Sequence, residues 1–362
     1  MKHLFVGAFL LYVVSIFAQP PINYYQPAYN KSDSLLRKAL QGIIDNHTIV
    51  SYDGLYNVYT TSDNTADNKV WDMYSYCSWT HNNKTCGNYT KVCDCYNREH
   101  SVPQSWFNKK SPMVSDAFHV YPTDGKVNNQ RGNYPFGECS GGTILDNKAK
   151  GRVGSSTFSG YSGTVFEPVD EYKGDFARTY FYMATRYAKV EPEPNPLKPL
   201  PRCEEWGNNV FSYDNLGLTN YAVNLFMKWH RQDPVSPKEV TRNNAIYAHQ
   251  DNRNPFIDYP ELAEYIWGTK KSLSWNPTSL EEDPNFQYFV YPNPVSDILY
   301  VHVDTTKNVQ YVLYSVDKKV LASGVFDSNW SIDVRALQSG MYVLQIYVEG
   351  VSYSYKVLVN SN

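Results

Sequence analysis

The residues of this chain that could do chemistry are concentrated between positions 96 and 139. Glu99 stands next to His100, and a segment that begins at a glycine brings the paired amides Asn128 and Asn129. Hydrolysis of a phosphodiester needs a base that deprotonates water and a hard cation that holds the phosphate and the departing oxygen. A neutral imidazole can be that base, and carboxylate and amide oxygens are ligands that Mg²⁺ accepts. The block therefore has the residue types for metal-dependent hydrolysis.

The strand that carries Glu99 and His100 is constrained by their adjacency. Neighbouring side chains on a strand point to opposite faces, so the two can share a site only where the strand ends or bends. Val102 and Pro103 follow directly and favour such a bend. We therefore expect the pair at the end of a strand.

Charge near this block differs from the charge of the whole chain. The 362 residues carry a net charge of −3, which argues against a protein that coats nucleic acid through bulk charge. Basic side chains nevertheless outnumber acidic ones between positions 84 and 131. A locally basic region suits a polyanionic substrate, although a solvated loop would have the same composition.

The N-terminal residues are typical of a secretory signal peptide, which we assign to positions 1–18. It has a short basic start, an apolar run from Leu4 to Phe17 and the small residue Ala18 before the expected cleavage site. The run is shorter than the roughly 20 residues that cross a bilayer. We expect an exported chain without a membrane span in its mature form.

The six cysteines suit export, because an even number in an exported chain indicates disulfides. A zinc site is disfavoured, since the paired CxxC spacing is absent. The sequence does not choose among the connectivities. We favour Cys86 with Cys95, because closing that loop would stiffen the approach to Glu99.

Periodicity predicts an α+β domain followed by an all-β tail. Residues 32–44 predict an amphipathic helix capped by Ser32, and helices are also expected over 175–187, 219–230 and 260–269. The buried face of the helix at 32–44 is predicted to comprise Leu35, Leu36, Ala39, Leu40, Ile43 and Ile44. Residues 190–201 are proline-rich and predict an extended surface loop. Alternating apolar runs predict an Ig-like β-sandwich at 286–362, after a domain at 19–274 and a linker at 275–285.

The block also resembles a known family. The segments YNREHSVPQSW at 96–106 and HVYPTDGKVNNQRGNYPFG at 119–137 look like the endonuclease I family. The resemblance resumes in VFEPVD at 165–170, KGDFAR at 173–178, WHRQDP at 229–234 and QDNRNPFIDYPE at 250–261. It thus covers about Ser32 to Trp267. Members are secreted, non-specific bacterial nucleases, so the resemblance implies a ββα-metal active site.

The resemblance also implies roles for individual residues. Glu99 and Asn128 match the ligands of a single Mg²⁺, which Mn²⁺ or Ca²⁺ could replace, and His100 matches the general base. Residue chemistry, rather than the resemblance, makes Arg131 a candidate, because a guanidinium can bond a scissile or flanking phosphate through two nitrogens. The remaining candidates for phosphate binding or for support of the metal are Arg98, Lys109, Lys110, Asp116, His119 and Asn129.

One feature of the better-known proteobacterial branch is missing from this chain. That branch has a phosphate-clamping arginine in an insert after its Glu-His pair, whereas residues 101–115 here contain Lys109 and Lys110 but no arginine. The clamp is therefore unassigned, with Arg98, Arg131 and the two lysines as candidates.

The tail resembles the C-terminal sorting domain of the type IX secretion system. The segments that match are YPNPVSD at 291–297, LQSGMY at 337–342 and KVLV at 356–359. The resemblance implies transfer across an outer membrane by that machinery. The alternative for the same strands is an adhesive or carbohydrate-binding Ig-like module.

These expectations combine into one prediction. The chain is expected to be a secreted, monomeric, metal-dependent endonuclease that hydrolyses DNA, and RNA as a second substrate, to 5′-phosphate products. Its partners would be nucleic acid and the secretion machinery. The alternative is a catalytically inactive surface protein that binds polyanions or glycans.

Overall fold

The structure, a computed structural model, describes residues 20–21, 23–187, 209–212, 215–276, 288–303, 309–316, 319–326, 330–348 and 351–360. The chain divides into two compact units, Met1–Asn276 and Pro277–Asn362. The first mixes helices with short strands, and the described part of the second consists of strands. The predicted α+β class with an all-β tail is confirmed.

The helices of the first unit surround a single large core of buried aliphatic and aromatic side chains. In chain order they are α1 Asp33–Ile44, α2 Leu55–Ser62, α3 Gly125–Arg131, α4 Lys173–Tyr187, α5 Asn220–Gln232, α6 Pro237–Gln250, α7 Pro255–Asp258 and α8 Leu262–Ile266. Every residue of α4 is buried, which makes it the central helix of the unit. The helices predicted from periodicity at 32–44, 175–187, 219–230 and 260–269 correspond to α1, α4, α5 and α8.

Helix α1 differs from its prediction in two respects. Leu36, Leu40 and Ile44 are fully buried, but Leu35 is 64% exposed. Residues four apart lie on one line of a helix, and Leu35 is a third of a turn away from that line. Ser32 precedes the helix without a side-chain capping hydrogen bond.

The elements under the predicted site form a strand–strand–helix unit. Strand β1 (Tyr96–His100) pairs antiparallel with β2 (Val120–Asp124), and Glu99 lies opposite Tyr121. Helix α3 follows β2 without a gap, because the Asp124 side chain caps it by accepting hydrogen bonds from the backbone N–H groups of Lys126 and Val127. A second hairpin, β3 (Arg152–Ser155) with β4 (Thr164–Glu167), lies elsewhere in the unit.

The described strands of the second unit form two antiparallel sheets. They are β5 Tyr288–Tyr291, β6 Ile298–Val303, β7 Val309–Ser315, β8 Val320–Phe326, β9 Ser331–Asp333, β10 Gly340–Val348 and β11 Val351–Val359. The strand orders are β5-β6-β9 in one sheet and β11-β10-β7-β8 in the other. Leu299 and Ile332 of the first sheet share one core with Leu313 and Leu344 of the second. The unit is therefore a β-sandwich, as predicted.

Residue Trp275 shows where the first unit ends. Its side chain is buried against Tyr25, Tyr29 and Tyr259, and its backbone N–H donates to the carbonyl of Lys31. The sequence predicts that Trp275 begins the linker, but its large apolar ring belongs to the core of the first unit. Residues 277–285 of the predicted linker lie outside the described residues, as do the signal peptide at 1–18 and the proline-rich segment at 190–201.

Two disulfides lie in the segment before β1. Cys77 is joined to Cys93, and Cys86 to Cys95, the pairing favoured above. Cys139 is a buried thiol, and Cys203 lies outside the described residues. None of the described helices is both long and apolar enough to cross a membrane.

Candidate active site

A cleft of about 530 Å³ opens over the strand–strand–helix unit. Its lining includes Asn97–His100 of β1, residues Asn128, Asn129 and Arg131 from the second half of α3, and part of the loop closed by Cys86. Tyr52 and Tyr56 also line it. Of the predicted site residues, the cleft brings together Arg98, Glu99, His100, Asn128, Asn129 and Arg131.

Strand alternation gives β1 a side that faces α3. Asn97 and Glu99 are on it, because Asn128 donates a hydrogen bond through Nδ2 to Asn97 Oδ1 at 2.8 Å. Arg131 Nη1 lies 3.1 Å from Glu99 Oε1 on the same side. Both partners come from α3, where positions 128 and 131 are neighbours on one helix face.

Arg98 and His100, on the other face of the strand, lie against Tyr52. The guanidinium carbon of Arg98 lies 3.6 Å from the centre of the Tyr52 ring. The His100 ring is stacked at 5.9 Å from the same tyrosine, at an interplanar angle of 24°. Because β1 ends at His100, the two sides of the strand open into one cleft.

The hydrogen bond of His100 leaves one ring nitrogen able to accept a proton. Nε2 lies 3.0 Å from the carbonyl oxygen of Val114, which can only accept, so Nε2 donates and Nδ1 is the unprotonated nitrogen. Burial, together with smaller effects of the nearby charges of His119 and Arg98, lowers the pKa of His100 to about 3. The imidazole is therefore neutral at physiological pH.

Glu99 is a buried carboxylate held by two donors. Tyr74 donates its hydroxyl to Oε1 at 2.8 Å, and Arg131 is the ion-pair partner of the same oxygen. Burial raises the pKa of Glu99 to about 7, and the opposing effect of Arg131 does not cancel it. A cation beside this carboxylate would favour its ionised form.

The residues present fit a hard divalent cation. Glu99 supplies a carboxylate whose charge is incompletely compensated by its partners. The amide nitrogen of Asn128 is oriented by Asn97 Oδ1 and by the carbonyl of Arg98, at 2.8 and 3.4 Å, which leaves the amide oxygen for another partner. Both side chains line the cleft and offer oxygen, the ligand atom that Mg²⁺ prefers.

The segment before β1 contains a second cluster of metal-type ligands, which is not a metal site. Cys77, Cys93 and Asp124 place ligand atoms within 4.8 Å of one another. The two sulfur atoms are bonded to each other, so neither is a thiolate. Asp124 is the capping residue of α3 and accepts the backbone N–H of Cys93.

Arg131 is placed differently from its prediction. Its side chain is 1% exposed, and its terminal nitrogens donate to the carbonyl oxygens of His100 and Ser101. With Glu99 as its ion-pair partner, the guanidinium is committed to the end of β1 rather than to a phosphate. These partners favour a positioning role for Arg131, and the direct phosphate contact expected from sequence stays a prediction.

The other candidates separate into residues inside and outside the cleft. Arg98 and the exposed Asn129 line it, whereas the exposed Lys109 and Lys110 do not. Asp116 and His119 are fully buried and also lie outside its lining. The structure thus does not place either lysine, Asp116 or His119 where it would contact a substrate in the cleft.

Asp116 and His119 have partners that explain their burial. Asp116 Oδ2 accepts the hydroxyls of Tyr182 and Tyr187 at 2.8 and 2.7 Å. Burial raises the pKa of Asp116, but nearby histidines and these hydroxyls outweigh it and bring the pKa to about 2. His119 donates from Nε2 to the carbonyl of Met113 at 2.6 Å. Both residues stabilise the core behind the strands.

Sequence reasoning missed three residues of the site. Asn97 could have been found, because it is two positions before Glu99 and shares its strand face. Tyr74 and Tyr52 come from segments without strong periodicity, and only the folded chain brings them to Glu99 and His100.

Gly125 shows why α3 begins with a glycine. A Cβ at this position would lie 2.7 Å from Tyr89 Cδ1 and 3.2 Å from Asn97 Nδ2. A side chain would therefore displace Asn97, which orients the amide of Asn128.

Comparisons with known proteins agree with this geometry. The endonuclease I family matches residues 32–261, and the secretion system C-terminal sorting domain matches residues 289–360. An extracellular ribonuclease of Bacillus amyloliquefaciens is 38% identical over 249 residues, which cover 67% of this chain and 78% of that protein. An extracellular ribonuclease of Bacillus subtilis (strain 168) is 34% identical over 247 residues, with the same coverage of 67% and 78%.

A relative with lower identity is named a deoxyribonuclease rather than a ribonuclease. A periplasmic deoxyribonuclease of Aeromonas hydrophila is 28% identical over 152 residues, which are 42% of this chain and 49% of that protein. The sorting-domain match replaces the alternative of a carbohydrate-binding tail, and the chain is a secreted nuclease. Because the endonuclease I family matches residues 32–261, which are more than half of the chain, this chain belongs to that family.

Proposed function

We propose that this nuclease hydrolyses phosphodiester bonds of RNA and DNA with His100 as general base and one Mg²⁺ on Glu99 and Asn128. One observation carries the proposal. A neutral imidazole with an unprotonated Nδ1 shares a cleft with two oxygen ligands, Glu99 on the opposite side of the same strand and Asn128 on α3. A base and a cation are the two requirements for this hydrolysis.

The chain's own residues divide the work. His100 takes a proton from water at Nδ1, and the carbonyl of Val114 holds the ring while Nε2 remains protonated. Asn97 orients the Asn128 amide, and Tyr74 and Arg131 fix the Glu99 carboxylate. When bound, Mg²⁺ would supply charge stabilisation to the phosphate and to the departing 3′-oxygen. The products would carry 5′-phosphates.

The substrate class is proposed from charge and from the relatives. The described lining of the cleft offers polar, charged and aromatic side chains, which can contact phosphates and stack on bases without reading a sequence. Binding through phosphates would admit both nucleic acids and would weaken steeply with salt. The names of the Bacillus relatives favour RNA, and that of the Aeromonas relative favours DNA.

Metal removal tests the proposal directly. We expect exhaustive dialysis against EDTA to abolish cleavage of plasmid DNA and of RNA, and Mg²⁺ or Mn²⁺ to restore it. A calcium-loaded sample would show whether Ca²⁺ substitutes. Full activity in chelator would contradict the metal site. A chain that binds nucleic acid but never cleaves it under any metal would support the inactive binding protein instead.

We also propose that the second unit serves export and not catalysis. The residues assigned to chemistry lie in the first unit, and the sandwich has its own core. Deletion of residues 286–362 should therefore leave cleavage unchanged in a chain refolded with its disulfides. In a bacterium with the matching machinery, the deletion should retain the enzyme in the periplasm. A folded but inactive truncation, or its normal appearance in the medium, would contradict one half of the proposal.

A further inference from the structure

We infer that Arg98 is the cationic residue that binds the scissile phosphate and stabilises its negative charge during cleavage. The inference rests on the proposed function and fills the role of a phosphate clamp. It starts from the observation that two cationic side chains, Arg98 and Arg131, contribute to the described lining of the cleft.

The hydrogen bonds of these two arginines distinguish them. Arg131 is 1% exposed and directs its two terminal nitrogens to the backbone at the end of β1 and to Glu99. Arg98 is 16% exposed in its side chain, and its hydrogen bonds to Tyr52 and Asp53 use Nη1 alone. Its other guanidinium nitrogens are thus the cationic donors that the cleft can offer to a phosphate.

The surroundings of Arg98 hold it in place without consuming those donors. Its guanidinium carbon lies 3.6 Å from the centre of the Tyr52 ring and 4.7 Å from that of Tyr56. Nη1 donates to the Tyr52 carbonyl and to Asp53 Oδ1, each at 2.8 Å. A planar guanidinium fixed by stacking and by one edge is pre-organised to bind an anion with its remaining edge.

The position of Arg98 relative to His100 suits a role during bond breaking. The two residues are two positions apart on β1, so they leave the same face of the strand roughly 7 Å apart along it. Tyr52 contacts both side chains, which confirms that they face the same side. Water deprotonated by His100 would attack a phosphate that lies between His100 and the metal ligands. Arg98 is beside His100 on the same face of β1, where it could contact that phosphate.

The chemical step balances without a further reactant. The oxygen of water bonds to phosphorus, and its proton passes to Nδ1 of His100. The bond from phosphorus to the 3′-oxygen breaks, and the departing oxygen keeps the electron pair and takes a proton from solvent. Arg98 stays protonated throughout and donates to the non-bridging oxygens, where charge concentrates as the new bond forms.

Substitution of Arg98 tests this role. We expect Arg98→Met to lower kcat by about 10²–10³-fold, the loss typical of one donor to the transition state. The change in KM should be smaller, and Mg²⁺ binding should persist. Arg98→Lys, which keeps the charge but loses the planar fork, should fall between Arg98→Met and the wild type. The measurement is steady-state cleavage of a short labelled oligonucleotide by the full-length chain refolded with its disulfides.

The controls are Lys109→Met and Lys110→Met, which remove charges outside the cleft lining. Both should keep the wild-type kcat. Thermal unfolding of each variant reports folding, and if Arg98→Met does not fold, the Arg98→Lys variant carries the test. Unchanged kcat in the folded Arg98 variants, or an effect on KM alone, would overturn the inference. If the wild type fails to cleave with Mg²⁺, the proposed function fails first.

Discussion

Replacing His100 by alanine should lower kcat by about 10²–10⁴-fold at saturating Mg²⁺, the usual contribution of a general base. The reason is that His100 lines the cleft with Nδ1 as its unprotonated ring nitrogen, because Nε2 donates to the carbonyl of Val114. Glu99 faces α3 and Asn128 belongs to that helix, on the side of β1 away from His100, so metal affinity should change little. The measurement is steady-state cleavage of plasmid and RNA, with Mg²⁺ affinity determined separately by titration calorimetry.

His119 offers a matched control for this substitution. It is as deeply buried as His100 and is also bonded to a backbone carbonyl, but it lies outside the cleft lining. His119→Ala should therefore lower the midpoint of thermal unfolding while kcat falls far less than in His100→Ala. Added imidazole should partly restore the His100→Ala variant. Wild-type cleavage by that variant would show that the base is elsewhere.

Much of this site could be predicted because strand and helix periodicities act locally. Alternation along a strand required Glu99 and His100 to be at its end, and β1 does end at His100. The same rule, applied two residues earlier, identifies Asn97 as the neighbour of Glu99. Helix spacing adds that Asn128 and Arg131 share one face of α3, and that face is turned toward β1.

The rest could not be predicted, since burial and long-range partners decide it. The residue type suggests that Arg131 meets a phosphate, but only the fold shows that its guanidinium is buried against Glu99 and the carbonyl oxygens of His100 and Ser101. Tyr74 reaches Glu99 from a segment that is 25 residues away and has weak periodicity. For the same reason the sequence left the clamp open among several basic residues, whereas the accessible edge of Arg98 distinguishes it.

The division into two units could be predicted from composition. The two incorrect assignments, Trp275 and Leu35, have a common cause. The alternation of apolar residues predicted the sandwich, and proline and acidic residues predicted the linker. Trp275 was assigned to that linker because its neighbours are polar, yet its ring packs against three tyrosines. Leu35 was assigned to the buried face although it is exposed. In both cases the neighbouring residues predict burial poorly, because burial depends on how the folded core is packed.

The buried pair of Glu99 and Arg131 links the stability of the site to its chemistry. The two side chains are 2% and 1% exposed, and truncation of one of them leaves the buried polar groups of the other without a partner. Tyr74 also depends on Glu99 for its hydrogen-bond acceptor. A variant that tests the role of Glu99 in metal binding therefore has to keep its shape and its hydrogen bonds.

Glu99→Gln meets this condition and should lower activity at a fixed Mg²⁺ concentration by about 10³-fold or more, because a bound metal contributes several kcal/mol and each ~1.4 kcal/mol is tenfold. The midpoint of the Mg²⁺ titration should move to higher concentration, since glutamine keeps an oxygen but loses the charge. Asp116→Asn is the matched control. That carboxylate is also fully buried but bonds Tyr182 and Tyr187 outside the cleft. It should lower the unfolding midpoint and leave the Mg²⁺ titration of the folded enzyme unchanged. An unaltered titration in Glu99→Gln would exclude Glu99 as a ligand.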